Sequence, residues 1–195
     1  MEASDFIEPK AAKAIIFATG NQRKIAEATM MLEPLGIHLE CRAVDIDEIQ
    51  HHDPVEITKA KARAAYEVIH QPVVVQDTSW IIPALSGFPG GYMKDVSEWW
   101  TPEDWLQIMA RHEDRSILCL EHVAYFDGEQ LRHFEHTYRG NFADSPKGEW
   151  GNSIEKVVCL YGEKTLAEVH DLTGIASAGE TLHHWQRFGE WFIAQ

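Results

Sequence analysis

Three short clusters carry residue types suited to phosphate chemistry. Thr19-Gly20-Asn21-Gln22-Arg23-Lys24 sets a glycine turn ahead of two adjacent cations. Cations in the first turn of a helix oppose the positive end of its dipole at about 0.3–1 kcal/mol each, a penalty that an anion held by the free N–H groups and the lysine removes. A solvated helix start is the competing reading. Asp45-x-Asp47-Glu48 is a run of carboxylates that either solvates a surface or gathers a hard divalent cation. Gln76-Asp77-Thr78-Ser79 follows the apolar run Val73-Val74-Val75. Ligands of open α/β sheets gather at the carboxyl ends of strands, which makes Asp77 a candidate, with a capping role as the alternative. A cationic turn, a carboxylate run and a strand-end aspartate are together the parts of metal-assisted phosphoryl chemistry.

These clusters need elements to hold them. Ile15-Ile16-Phe17-Ala18 has the pattern of a short buried strand, and Ile25, Ala28, Leu32 and Leu35 then recur at helical spacing up to Gly36. A second helix is predicted from Asp53, with Pro54 in its first turn and Glu56 completing a capping-box variant; Ile57, Ala60, Ala64 and Val68 line its inner face up to His70. Val73–Val75 reads as a buried strand, and from Gln76 to Met93 the sequence turns polar and then glycine-rich, with Leu85 to Tyr92 expected to wall a pocket. A helix from Thr101 to about Arg111, a hairpin of Ser116–Phe126 and Glu129–Tyr138 about Asp127-Gly128, a loop from Gly140 to Gly151, a strand near Val157–Leu160 and a last helix over Glu180–Phe192 complete the expectation. The mixture of βα units and hairpins implies an α/β fold with a mixed sheet.

Composition narrows the function classes. With 195 residues, 45% of them hydrophobic and 25% charged, one globular domain is expected over residues 14–195 behind a polar, frayed lead-in over residues 1–13. The net charge of −14 is the opposite of a general nucleic-acid footprint. No apolar run approaches the ~18–20 residues of a membrane span, and the three scattered cysteines suit a reducing cytoplasm. The pairs His51-His52 and His183-His184 point apart on a helix or a strand, and His133 and His136, three apart, fall on opposite faces of a strand; with no cysteine pair and no HExxH, zinc is not expected.

Ala18-Thr19-Gly20-Asn21-x-x-Lys24 resembles the N-terminal signature of the inosine triphosphate pyrophosphatase family, the Ham1-like house-cleaning nucleotidases. Asp45-x-Asp47-Glu48, Lys59, Asp77-Thr78-Ser79 and Leu85-Ser86-Gly87-Phe88-Pro89-Gly90 follow in that family's order across residues 14–140. The resemblance implies a long, bent mixed sheet flanked by helices, two lobes around a central cleft, and a homodimer. It implies hydrolysis of a nucleoside triphosphate, between its α and β phosphates, to monophosphate and pyrophosphate. By the same resemblance Thr19, Gly20, Asn21 and Lys24 would hold the triphosphate with Lys59, Thr78 and Ser79 close by. Glu48 and Asp77 would bind Mg²⁺, with Mn²⁺ as a possible substitute, and orient water.

Three positions depart from the family pattern. Gln76 replaces a carboxylate, and a neutral amide cannot serve as a base. The base-pocket segment reads Trp150-Gly151-Asn152-Ser153, with Ser153 in place of an aspartate that reads the purine edge. The C-terminal Ser-His-Arg motif reads His183-His184-Trp185, with Arg187 nearby. Losing polar recognition of this kind shifts discrimination by as much as 10⁴–10⁵. The expected substrate is therefore a non-canonical or modified nucleotide, with a pyrimidine-specialised or biosynthetic enzyme, or a nucleotide-binding protein of little activity, as alternatives.

Overall fold

The computed structural model describes residues 13–177 and 180–195, so that the expected lead-in lies outside the described residues except for Lys13. The first apolar run forms β1 (Lys13–Ala18), followed by α1 (Gln22–Leu32) and β2 (Ile37–Arg42). Asn21 caps α1 through its side-chain oxygen, and Gly36, left-handed at φ 74°, turns the chain into β2. Next comes α2 (Pro54–Ile69), where the Asp53 carboxylate accepts from the Val55 N–H and Pro54 occupies the first turn, as the sequence predicts. Glu56, however, pairs with Lys59 instead of completing a capping box, and the buried face carries Ile57, Ala62 and Ala65 rather than Ala60, Ala64 and the exposed Val68.

Beyond α2 the chain forms β3 (Val73–Ile81), β4 (Pro89–Gly90), α3 (Met93–Trp99) and α4 (Pro102–Met109). It then forms β5 (Ser116–Phe126), β6 (Leu131–Phe142), β7 (Val158–Cys159), α5 (Leu166–Thr173) and α6 (His183–Ile193). The sheet runs β2-β1-β3-β5-β6-β7, with β4 against β3. The β1 pairs with β2 and β3 are parallel and the remaining pairs antiparallel. This is the bent mixed sheet flanked by helices that the sequence implies.

Other expectations change as well. The strand at Val73 does not end at Val75 but continues to Ile81, because β5 pairs with every residue from Val73 to Ile81. Asp77 therefore lies within a strand, although β1 accompanies β3 only at Val73 and Val74. The hairpin turn is not a two-residue type I′ turn. Phe126 pairs with Leu131, and the Asp127 carboxylate accepts from the Glu129 and Gln130 N–H groups to hold the intervening residues. The loop expected from Gly140 begins later, since β6 extends to Phe142, and α3 and α5 arise where no helix is predicted.

Side chains alternate across the sheet and sort into separate cores. One face packs Phe17, Val74 and Val123 against α1 and α6, whose Trp185 and Phe188 are fully buried. The other packs Ile16, Val73, Val75 and Ala124 against Ala62 and Ala65 of α2. A further core gathers Trp80, Met93, Val96, Trp105 and Ile117 at the far end of β3 and β5. Among the described residues no helix is long and apolar enough to cross a membrane.

Trp185 meets Phe17 edge-to-face at a centroid distance of 5.0 Å and its indole N–H has no partner. Trp185→Ala should cost about 3–5 kcal/mol by loss of burial and creation of a cavity. Trp185→Phe should cost much less, because the N–H it removes bonds nothing. Urea unfolding of the two variants checks the difference.

Candidate active site

The site follows from a gap along one edge of β3. Its neighbours there are β1 at Val73 and Val74 and β4 at Trp80 and Ile81, so the backbone between them lacks a strand partner on that side. A buried carbonyl left without a donor is costly. Lys24 supplies one, its ammonium donating to the Gln76 carbonyl at 3.1 Å. Burial pushes the Lys24 ammonium below its ordinary value, with Asp77 pulling it back up.

On the α2 side of this gap, Glu48 and Asp77 converge on one cation, Lys61. Its ammonium lies 2.6 Å from Glu48 Oε1 and 3.7 Å from Asp77 Oδ1. Burial raises the Glu48 carboxyl, but the Lys61 hydrogen bond and charge outweigh it and hold the group below its usual value. Asn21, Lys24, Glu48, Lys61, Asp77, Lys94 and Asn152 share the walls of one cavity of about 290 Å³. Two carboxylates reaching one small cation form an oxygen-only donor set, which suits a hard divalent ion.

Lys59 is not part of this cavity's lining. It pairs with Glu56 at 3.0 Å, and Lys61 takes the place expected of it. The reason is helical phase: two residues turn a helix by roughly 200°. Lys61 lies four residues beyond the buried Ile57, the spacing that could have singled it out. Both cations of the first cluster, Arg23 and Lys24, border this cavity, but the Arg23 guanidinium is committed to buried acids. Asn21 Oδ1 takes the Arg23 and Lys24 N–H groups, while Thr19 Oγ1 accepts from the Asn21 N–H. Gly20 allows a close approach, since a Cβ there would lie 3.3 Å from that of Ala43.

Arg23 turns to the other face of the sheet. Its guanidinium contacts Glu27 at 3.0 Å and Glu121 at 3.8 Å. Glu121 Oε2 also accepts from Gln76 Nε2 and from the Thr78 hydroxyl, each at 2.8 Å. Burial raises Glu121, and Arg23, His184, Lys24 and the Gln76 amide override it, leaving the carboxyl below its ordinary value. The Glu27 carboxyl stays raised by burial despite Arg23. Gln76 and Asp77, adjacent in sequence, thus serve opposite faces. Glu121 was not singled out in the sequence, where it is one acid within a strand pattern.

The remaining predicted residues divide. Trp150 stacks on His170 at 4.0 Å and borders a small cavity of about 20 Å³ with Arg23 and Glu121, and an outer one of about 340 Å³. Gly151 is left-handed at φ 82°. Ser153 is buried and accepts from the Trp105 indole N–H at 3.0 Å, which commits it to the core. Ser79 is buried with its hydroxyl unpartnered. His184 is buried, 3.4 Å from Gln76 Nε2 and 3.2 Å from the Tyr138 hydroxyl. His183 lies against His136, and Arg187 donates to the Glu135 carbonyl, so the structure does not bring these two to the Asp77 cavity.

Known proteins resemble this chain in sequence and fold. The Ham1 family profile matches residues 15–173. A dITP/XTP pyrophosphatase of Methanopyrus kandleri is 34% identical over 182 residues, covering 91% of this chain and 95% of that protein. An inosine triphosphate pyrophosphatase of Yarrowia lipolytica is 34% identical over 138 residues, covering 70% and 72%. The solved HAM1 protein of Coxiella burnetii superposes with a TM-score of 0.73 at 21% identity, covering 94% of this chain and 100% of that one.

Burial pushes the His184 imidazole down to about 4, against the pull of Glu121. The unfolded chain, with its histidine near 6.5, takes up the proton first. Stability from this group is therefore complete above that value and is lost as the pH falls from about 6.5 to about 4, by roughly 3 kcal/mol. Urea unfolding across this range should show a shallower pH slope in His184→Gln than in the wild type.

Proposed function

The chain belongs to the Ham1 family, and on that premise we propose that it hydrolyses a non-canonical or modified nucleoside triphosphate between the α and β phosphates. The products would be the nucleoside monophosphate and pyrophosphate. The observation that carries this reading is the convergence of Glu48 and Asp77 on one ammonium within a cavity that Lys24 and Lys94 also line. Pyrophosphatase names among the relatives support the same reaction class.

In this reading Glu48 and Asp77 hold Mg²⁺, for which their oxygen-only donor set is suited. When bound, the ion supplies charge neutralisation at the phosphate oxygens and acidifies water. Lys24 and Lys61 offset the charge of the triphosphate, and Asn21 shapes the turn beside it. A carboxylate of the pair orients the attacking water and takes its proton. The water oxygen bonds to the α phosphorus as the bond to the bridging oxygen breaks, and pyrophosphate leaves.

A shift in base preference is favoured by two specific placements. Ser153 is tied to Trp105 and Trp185 is core, so neither presents a polar group in the manner of the family's purine-reading residues. Trp150 remains for stacking on a base. We also read the protein as a homodimer. The exposed Trp99 on α3, with 76% of its surface open, is a natural participant in such a contact.

Pyrophosphate release should appear with Mg²⁺ and at least one of ITP, XTP, dITP, the standard nucleotides or modified pyrimidines. Asp77→Asn should lower the rate by about 10³-fold or more, and Lys61→Ala by about 10–100-fold. Triphosphate binding by calorimetry without release from any of them would instead identify a binding protein. Sedimentation should give a dimer, and Trp99→Glu should shift it toward monomer; a wild-type monomer would end the dimer reading.

A further inference from the structure

Apart from the Asp77 cavity, one cluster on the α2 side of the sheet has the donors of a transition-metal site. His122 on β5 faces Glu135 on β6 as its direct cross-strand partner, and His133 lies two residues away on the same face of β6. His122 Nδ1 is 3.2 Å from His133 Nε2 and 3.6 Å from Glu135 Oε2. Among the described residues this is the one group of three or more histidine, cysteine or acidic side chains whose ligand atoms all fall within 4.8 Å of one another.

The two spacings measured from His122 match what a tetrahedral ion requires. Ligands at about 2.0–2.1 Å from a metal and separated by 3.2 and 3.6 Å subtend roughly 100° and 120°. A hydrogen bond between two neutral imidazoles accounts for the first contact alone, while the strand register brings the Glu135 carboxylate to the same ring nitrogen. His122 is 2% exposed, and its other ring nitrogen has no partner, so the polar contacts of this buried ring lie entirely on the side of His133 and Glu135. Burial lowers both imidazoles below their ordinary value, which keeps a lone pair available at neutral pH. Asp53 and Asp77 add negative potential at His122, while Lys59 acts in the opposite sense at His133.

We propose that His122, His133 and Glu135 form a binding site for a borderline divalent cation, with Zn²⁺ as its representative, distinct from the Glu48–Asp77 pair. Two imidazoles and one carboxylate suit Zn²⁺ and its first-row neighbours rather than Mg²⁺. Three protein ligands leave a fourth position for water. The pairing of His133 with His122, rather than with His136, is what the linear spacing conceals.

Calorimetric titration of the full chain with Zn²⁺, with Mg²⁺ in excess to occupy hard oxygen sites, tests the proposal. One equivalent should bind, His133→Ala and Glu135→Gln should each weaken it by at least about tenfold, and His136→Ala should leave it unchanged. Co²⁺ in place of Zn²⁺ should give the visible absorption of a tetrahedral ion, lost in His133→Ala. Absence of saturable binding, binding indifferent to the first two substitutions, or a Co²⁺ spectrum without tetrahedral bands would overturn the site. None of these readouts depends on nucleotide hydrolysis.

Discussion

The break in pairing along β3 is the constraint on which the site depends. A strand paired on both edges has no backbone polar groups to offer, whereas β3 has β1 beside it only at Val73 and Val74 and β4 only at Trp80 and Ile81. The intervening segment is still held straight by β5, so its side chains alternate strictly between the two faces. Asp77 is thereby directed to the α2 side, while Gln76 and Thr78 are directed to the α1 side. One ammonium, Lys24, closes the open edge through the Gln76 carbonyl. The same ammonium is close enough to Asp77 for the two charges to act on each other, which ties the backbone gap to the cation-rich wall of the cavity.

Behind that wall lies a buried charge cluster whose parts are mutually dependent. Arg23 is shared between Glu27 and Glu121, and Glu121 takes further hydrogen bonds from Gln76 and Thr78. Buried charge is tolerated only when paired and hydrogen-bonded, since an ion left alone costs several kcal/mol. A glutamine at position 76 fits here for a definite reason. Its amide donates to Glu121, where a second carboxylate would repel it. The departure from the family pattern at Gln76 is thus matched by an acid on the neighbouring strand, and the negative charge sits at Glu121 on the same face of the sheet.

Much of this was legible in the sequence where the signal is local. The cap at Asp53-Pro54, the apolar run at Ile15–Ala18 and the bounds of β5 all follow from short-range chemistry. Asp77 was also legible, as an acid beside an apolar run, whereas Glu48 was distinguished from Asp45 and Asp47 only by the resemblance to the family. Pairing that spans the chain was not. The continuation of β3 through Gln76-Asp77-Thr78-Ser79 depends on β5 some forty residues later, and polar residues alone read as the end of a strand. Lys59 and Lys61 differ only in helical phase, and apolar spacing alone misreads that phase: Ile57 does face inward, but with Ala62 and Ala65 rather than with Ala60, Ala64 and Val68. Glu121 has no local signal at all, since its role is set by Arg23 and Gln76 from distant elements.

The residues proposed for base recognition and those proposed for phosphate chemistry rest on different supports in this fold, so that one set can differ while the other is kept. The carboxylates, Lys24 and Lys61 are fixed by β3, α1, α2 and the segment before α2. The residues aligned with the purine-reading positions sit on the loop after β6 and at the start of α6. There, hydrophobic packing has claimed two of them: Trp185 fills the space against Phe17 and Phe188, and Ser153 answers the indole N–H of Trp105. A tryptophan in the core gives more burial than a charged side chain could, so its presence at position 185 stabilises the α1–α6 contact. The His184 imidazole beside it, kept neutral by burial and hydrogen-bonded to Tyr138, reaches the buried Gln76–Glu121 pair rather than open solvent. If the proposed reaction holds, selectivity is to be sought around Trp150 and the Arg23 cluster, which meet at one small cavity.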